Sequence, residues 1–261
     1  MSKKSYSPVL ISVPGVFCPY SLTKESVDRE MKNLRYGLRK MTLLDFPGKV
    51  ACTVFTCGCN FRCPFCHNAS LVLPEKFGDT ISDGEFFAFL ESRKGRLQGV
   101  CVSGGEPTLY PNIAEFLGKI KAMGFLVKLD TNGTRPEVLK SLVDKGLLDY
   151  VAMDIKNSPL RYSETVGISD FDILGVAEST AYLLEGKVDF EFRTTVVKEL
   201  HSAEDIKNIG KWLEGDEKFF LQTFKDSGDL IGAGYSGYSA KEMEELLEIL
   251  KKNIPNANLR G

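Results

Sequence analysis

Residues 49–68 read KVACTVFTCGCNFRCPFCHN. The first nine, KVACTVFTC, are a β-rich and nearly unbroken apolar run, as expected of a parallel strand buried on both faces. The strand runs into Gly58 and then into Cys59, Cys63 and Cys66, spaced C-x3-C-x2-C. Positions i, i+4 and i+7 would share one face of a helix, as a core stripe of small apolar residues. Pro64 inside the stretch and Gly58 before it make a regular helix a poor fit, and a loop wrapped around a metal fits better. Three thiolates are one short of a closed zinc site and one short of the usual four of an iron–sulfur cluster. His67 adjoins Cys66 and is awkwardly placed to complete the set. On spacing alone, zinc and cluster stay about equally open.

The same strand pattern recurs downstream in GVCVSGG (99–105), FLVKLDTN (125–132), DYVAMDIK (149–156), FEFRTTVV (190–197) and KFFLQTF (218–224). Helical signals alternate with it. Ser82 and Glu85 form a capping box. Ile113, Phe116, Leu117 and Ile120 make an i, i+3, i+4, i+7 stripe. Pro136 suits a first helical turn and Gly146 the position past that helix's end. Further helices are expected over 171–185, 203–213 and 240–252. Repeated β–α alternation implies parallel strands joined by right-handed crossovers. Six units fall short of the eight of a TIM barrel. The expected fold is α/β, an open partial (β/α)6 TIM-like barrel with outer helices, and a flat doubly wound sheet is the alternative.

Composition narrows the class. A net charge of −2 argues against an overall electrostatic drive toward nucleic acid. No apolar run approaches bilayer length, and Pro14 and Gly15 interrupt the short apolar stretch near the N-terminus, which excludes a signal peptide and a membrane partner. Seven cysteines, odd in number and clustered, suit reduced thiols or metal ligands in a cytoplasmic protein. Residues 35–261 form the expected core domain. Residues 1–34 have no partner in the β–α scheme and read as a loosely ordered extension, with Met31 an alternative start. KDSGDLIGAGYSGYS (225–239) reads as a flexible loop that gates the site or touches a partner. Cys52 and Cys101 are read as core and His201 as surface.

CNFRCPFC (59–66), with Phe65 as its aromatic, resembles the C-x3-C-x-aromatic-C signature of the radical S-adenosylmethionine enzymes. The resemblance implies that Cys59, Cys63 and Cys66 hold a 4Fe–4S cluster whose fourth iron is left for the amino and carboxylate groups of S-adenosylmethionine. SGGEPTL (103–109) is similar to the family's GGEP motif, which implies that Gly104, Gly105 and Glu106 meet the cofactor's amino group. Taken alone it would be an ordinary turn. LDTNGTRP (129–136), MDIKNSP (153–159) and CHN (66–68) resemble activases of glycyl radical enzymes, including those of pyruvate formate-lyase and anaerobic ribonucleotide reductase. By that resemblance Asp130, Thr131 and Asp154 hold a monovalent cation, while Lys156 and Arg193 reach the cofactor's carboxylate. The plainer alternatives are a turn-forming Asp130 and a surface ion pair at Arg193.

The chain also departs from that group. Gln222, Thr223 and Phe224 stand where pyruvate formate-lyase activase has a Tyr-His pair, and Cys57 replaces a usual Gln. RYGLRKMTLLDFPGKVACTVFT (35–56) and LQTF (221–224) are closer to the activases of anaerobic ribonucleoside-triphosphate reductase. Only 37 residues separate Cys66 from Gly104, with Cys101 their sole cysteine, which excludes an insert carrying extra clusters. The resemblance therefore implies reductive cleavage of S-adenosylmethionine and a glycyl radical on a partner enzyme, with a flavodoxin or ferredoxin-type electron donor. The alternatives are a radical enzyme acting on a small molecule or peptide and, last, a non-catalytic metal-binding module.

Overall fold

Six apolar runs become β2 (Ala51–Thr56), β3 (Gly99–Gly104), β4 (Leu126–Thr131), β5 (Tyr150–Asp154), β6 (Asp189–Val196) and β7 (Phe219–Thr223). Each pairs in parallel with the next along the chain. The computed structural model describes residues 35–216, 218–226 and 228–260, so the extension expected over 1–34 lies outside the described residues. One strand is added at each edge. β1 (Tyr36–Thr42) runs antiparallel to β2, and the three-residue β8 (Asn258–Arg260) is parallel to β7. The sheet has eight strands in the order β1 to β8, and among the described residues the first and last do not pair, so the barrel is open.

β1 is an addition to the six expected strands. A register shift between Arg39 and Thr42 exposes Arg39, Lys40 and Met41 in succession, which erases the two-residue alternation that would have marked it. Charged side chains on such an edge also discourage pairing with another chain.

The crossovers carry helices α1 (Ala69–Val72), α2 (Asp83–Ser92), α3 (Ile113–Ala122), α4 (Pro136–Asp144), α5 (Tyr162–Val166), α6 (Leu174–Leu184), α7 (Ala203–Trp212) and α8 (Ala240–Leu250). The expected Ser82–Glu85 capping box starts α2, and the same device starts α7 at Ser202–Asp205 and α8 at Ser239–Glu242. The expected α3 stripe is buried, and Gly146 takes a left-handed φ of 66° after α4. Val127 and Leu129 of β4 are fully buried in the apolar core, and the strand's period of two sends Lys128 and Asp130 to the opposite, inner face. No described helix is long and apolar enough to cross a membrane. The fold thus brings the loops after the parallel strands to one end, where barrels of this kind place their chemistry.

Candidate functional site

The loop after β2 turns inward at that end. Cys59, Cys63 and Cys66 line one cavity of about 200 Å³, together with Phe65, Gly104, Gly105, Asp130, Thr131, Asp154, Lys156 and Arg193. Burial pushes the Cys59 thiol up to about 11 and Cys63 to about 12, and it raises Cys66 as well, while the Lys156 ammonium acts in the opposite sense on all three. Such thiols keep their protons at neutral pH unless a metal cation replaces them. Among the described residues no three His, Cys, Asp or Glu side chains converge as a single-ion site would require. Thiolates on one zinc stand roughly 3.8 Å apart, given a Zn–S distance near 2.3 Å. A cluster puts each thiolate on its own iron, so three sulfurs face a common void without meeting. The three thiols lining one cavity are the donor set that a cluster with one open iron would need.

The two glycines of the GGEP segment serve a backbone fit. Gly104 sits at φ 113°, and a Cβ there would overlap the backbone of Thr56; at Gly105 it would overlap the Gly58 carbonyl. The Gly105 N–H donates to the Thr56 carbonyl at 2.8 Å, and the Glu106 N–H to that of Gly58 at 2.9 Å. The end of β3 is thereby laced to the start of the cysteine loop, with both glycines on the cavity wall.

Among the expected site residues, Glu106 alone does not line the cavity. Its carboxylate turns inward and is fully buried. One oxygen accepts from the Thr108 N–H at 3.0 Å, the Thr108 hydroxyl at 2.5 Å and the Thr131 hydroxyl at 2.8 Å; the other accepts from the Asn132 N–H at 2.6 Å. Burial raises this carboxyl, and those donors act against the rise. Glu106 therefore clamps the end of β4 to the turn after β3.

Asp130, Asp154 and Arg193 form the floor. Arg193 donates to Asp154 Oδ1 at 2.8 Å and to Asp130 Oδ2 at 3.4 Å. Lys156 Nζ is 3.0 Å from Asp154 Oδ2, Lys128 pairs with Asp130 Oδ1, and the Ser103 hydroxyl donates to Asp130 Oδ2 at 2.9 Å. Burial alone would raise both carboxyls; Arg193 with Lys128 outweighs it at Asp130, and Arg193 with Lys156 holds Asp154 far below the carboxylate range. Burial would lower Lys156 and Arg193, and their carboxylate partners reverse it. All four are ionised at neutral pH. Arg193, with a side chain 14% exposed, is an interior bridge rather than the surface pair considered as its plainer alternative. Asp130 lies at the end of a strand rather than in a turn.

Three residues here carried no clear sequence signal. His201, read as a surface residue, is fully buried. Its Nδ1 accepts from the Val197 N–H at 3.1 Å and its Nε2 lies 2.7 Å from the Lys156 carbonyl, so the ring bridges the ends of β5 and β6 in its neutral form, which burial favours. Phe65 stacks edge-on against that ring at 6.3 Å and against Phe224 at 6.4 Å. Asn132 lies 3.9 Å from Cys59 Sγ and 2.9 Å from Asn60 Oδ1; its position beside Asp130 and Thr131 was the one available hint. Lys128 was visible only as a charge inside an apolar strand. The described part of the glycine-rich loop packs on the cysteine loop: the Gly232 N–H donates to the Pro64 carbonyl at 2.7 Å, and Ile231 reaches the cavity. Cys57 is buried at the loop's start, with its carbonyl accepting from the Tyr110 hydroxyl, and Cys52 and Cys101 are core as expected.

Comparison with known proteins matches the sequence to a family. The family model described as the radical SAM superfamily matches residues 53–214. The chain is similar to a protein of Methanocaldococcus jannaschii, named provisionally as a glycyl-radical enzyme activating enzyme, at 34% identity over 237 residues, covering 88% of this chain and 97% of the relative. It is 30% identical over 111 residues to a PqqA peptide cyclase of Methylorubrum populi, covering 42% of this chain and 28% of that relative. The fold is similar to the crystal structure of a domain of pyruvate-formate lyase-activating enzyme from Bacteroides vulgatus, with a TM-score of 0.52 at 16% identity, covering 62% of this chain and 99% of that domain.

Proposed function

The chain belongs to the radical SAM superfamily, and we propose that within it this enzyme is an activase that installs a glycyl radical on a partner enzyme. The observation that carries the proposal is the near end-to-end match to the archaeal relative, whose name assigns it to the activating enzymes. The short distance from Cys66 to Gly104 leaves no room for the cluster-bearing insert found in some activases. When bound, the 4Fe–4S cluster and S-adenosylmethionine supply the one-electron chemistry that yields a 5′-deoxyadenosyl radical able to take a hydrogen from a glycine α-carbon.

The protein's own part is binding and placement. Cys59, Cys63 and Cys66 hold the iron. Gly104 and Gly105 let the cavity wall approach the cofactor closely. Lys156 and Arg193 present positive charge to the cofactor's carboxylate. Phe65, backed by His201 and Phe224, closes the apolar side and excludes water. Glu106 acts through Thr131 and Asn132, which do line the cavity.

The partner that agrees best with RYGLRKMTLLDFPGKVACTVFT and LQTF is an anaerobic ribonucleoside-triphosphate reductase, with a flavodoxin or ferredoxin-type donor, in the cytoplasm. A second reading, action on a small molecule or peptide, draws support from the similarity to a peptide cyclase, which spans less than half of this chain. The test is electron paramagnetic resonance of the reduced, cluster-loaded protein mixed with S-adenosylmethionine and a candidate reductase under nitrogen. A glycyl radical doublet that disappears when the partner's glycine is replaced by alanine is the expected result. Consumption of a peptide without any doublet would favour the second reading.

A further inference from the structure

Asp130, Thr131 and Asp154 supply the oxygens expected to hold a monovalent cation, and every one is engaged by a donor of the protein. Asp130 Oδ1 pairs with Lys128, and Oδ2 accepts from Ser103 at 2.9 Å and Arg193 at 3.4 Å. Asp154 Oδ1 accepts from Arg193 at 2.8 Å and Oδ2 from Lys156 at 3.0 Å. The Thr131 hydroxyl donates to Glu106 and accepts from the Gly133 N–H at 3.1 Å. These residues do not fit a metal ion as well as they fit the cations already among them.

Lys128 is the unusual member. Its side chain is 2% exposed, and an ammonium so buried requires a carboxylate. Two residues apart on β4, Lys128 and Asp130 share the inner face, so the ammonium is tethered to its counter-charge at high effective concentration. Cys101, opposite Lys128 in the β3–β4 register, offers its sulfur 3.8 Å from Nζ as a second acceptor. Nearby carboxylates are already paired, Glu191 with Arg260 and Asp45 with Arg39.

Lys128, Lys156 and Arg193 face Asp130 and Asp154, so these two carboxylates already have three cationic partners. An added metal ion would be a fourth cation on the same two carboxylates, an arrangement that low polarity penalises. We propose that the Lys128 ammonium is the site's resident cation, standing in for a monovalent metal ion, so that S-adenosylmethionine binds without one. The inference rests on S-adenosylmethionine occupying this cavity and is independent of the substrate.

The test is the affinity of the anaerobic, cluster-loaded protein for S-adenosylmethionine, read by calorimetry and by the shift in the reduced cluster's paramagnetic spectrum. Buffers contain tetramethylammonium as the sole cation, or potassium or sodium in its place. The wild-type affinity should agree across buffers within about twofold, whereas Lys128→Met should bind about tenfold or more weakly in tetramethylammonium and recover in potassium or sodium. A wild-type affinity that rises about tenfold with either metal ion, or a folded Lys128→Met that binds as tightly as wild type in tetramethylammonium, would overturn the proposal. If Lys128→Met fails to fold, the wild-type comparison decides alone. Failure to bind in every buffer would overturn the premise along with it.

Discussion

Glu191 and Arg193 stand two residues apart on the inner face of β6, yet they belong to opposite kinds of ionic network. Glu191, 1% exposed, accepts from Arg260 at 2.5 and 2.9 Å through both oxygens, and from the Tyr150 hydroxyl at 2.9 Å. Burial would raise this carboxyl, and Arg260 outweighs it. That network is neutral and closed, and it ties the short β8 to β5 and β6. The network of Arg193 is over-supplied with cations and opens onto a cavity between three thiols. Closed, neutral pairs hold a fold together; surplus charge on a cavity wall marks a place for a ligand of the opposite sign.

The largest stability effect should come from a third arrangement, Glu106, a buried carboxylate held by neutral donors alone. Glu106→Ala should lower unfolding stability by about 3–5 kcal/mol, since it leaves buried donors at Thr108, Thr131 and Asn132 unsatisfied and opens a void. Denaturant unfolding measures it, and a loss under about 1 kcal/mol would show the clamp to be dispensable. The two β6 residues should then separate cleanly. Glu191→Gln should cost about 1–3 kcal/mol of stability while leaving S-adenosylmethionine affinity within about twofold. Arg193→Gln leaves two lysines against two carboxylates, so it should lower that affinity about tenfold at a smaller cost in stability. Equal effects of both substitutions on affinity would erase the distinction between the networks.

The smallest effect concerns pH. Burial lowers the His201 pKa, so the folded state binds fewer protons there than the unfolded chain does. The stability gained from a neutral His201 is complete above the ordinary histidine value of about 6.5 and declines as the pH falls from there through the depressed folded value. The melting temperature should drop by a few degrees across that interval, and His201→Gln should flatten the slope. An unchanged slope in that variant would assign the pH dependence to other groups.

Much of the architecture was legible in the sequence because β2, β3 and β5 carry their hydrophobicity as nearly unbroken runs and helical signals alternate with the strands. β1 was not, because a register shift breaks its alternation. Cys59, Cys63 and Cys66 stood out by their spacing, and the segments around Gly104, Asp130 and Asp154 by their resemblance to family motifs; the fold brings all of them to one cavity. The direction in which a side chain turns was not legible. Glu106 sits in the same segment as Gly104 and Gly105 but faces inward, because the donors that satisfy it come from β4 and the loop after it. Arg260 is 69 residues from Glu191, and only the β6 to β8 register brings the two together. His201 lies between Leu200 and Ser202 with nothing in the sequence to show that its ring bridges two strand ends. Lys128 and Asp130 could be paired from the strand period alone, once the inner face of the barrel is taken to be polar.

Formation of 5′-deoxyadenosine by the reduced, cluster-loaded protein given S-adenosylmethionine, beside Cys63→Ala treated identically, tests most directly that the cavity after β2 is one radical-generating site. Product from the wild type and none from Cys63→Ala is the predicted result. Equal product from both proteins, or none from a wild type with a full cluster whose spectrum ignores S-adenosylmethionine, would contradict it.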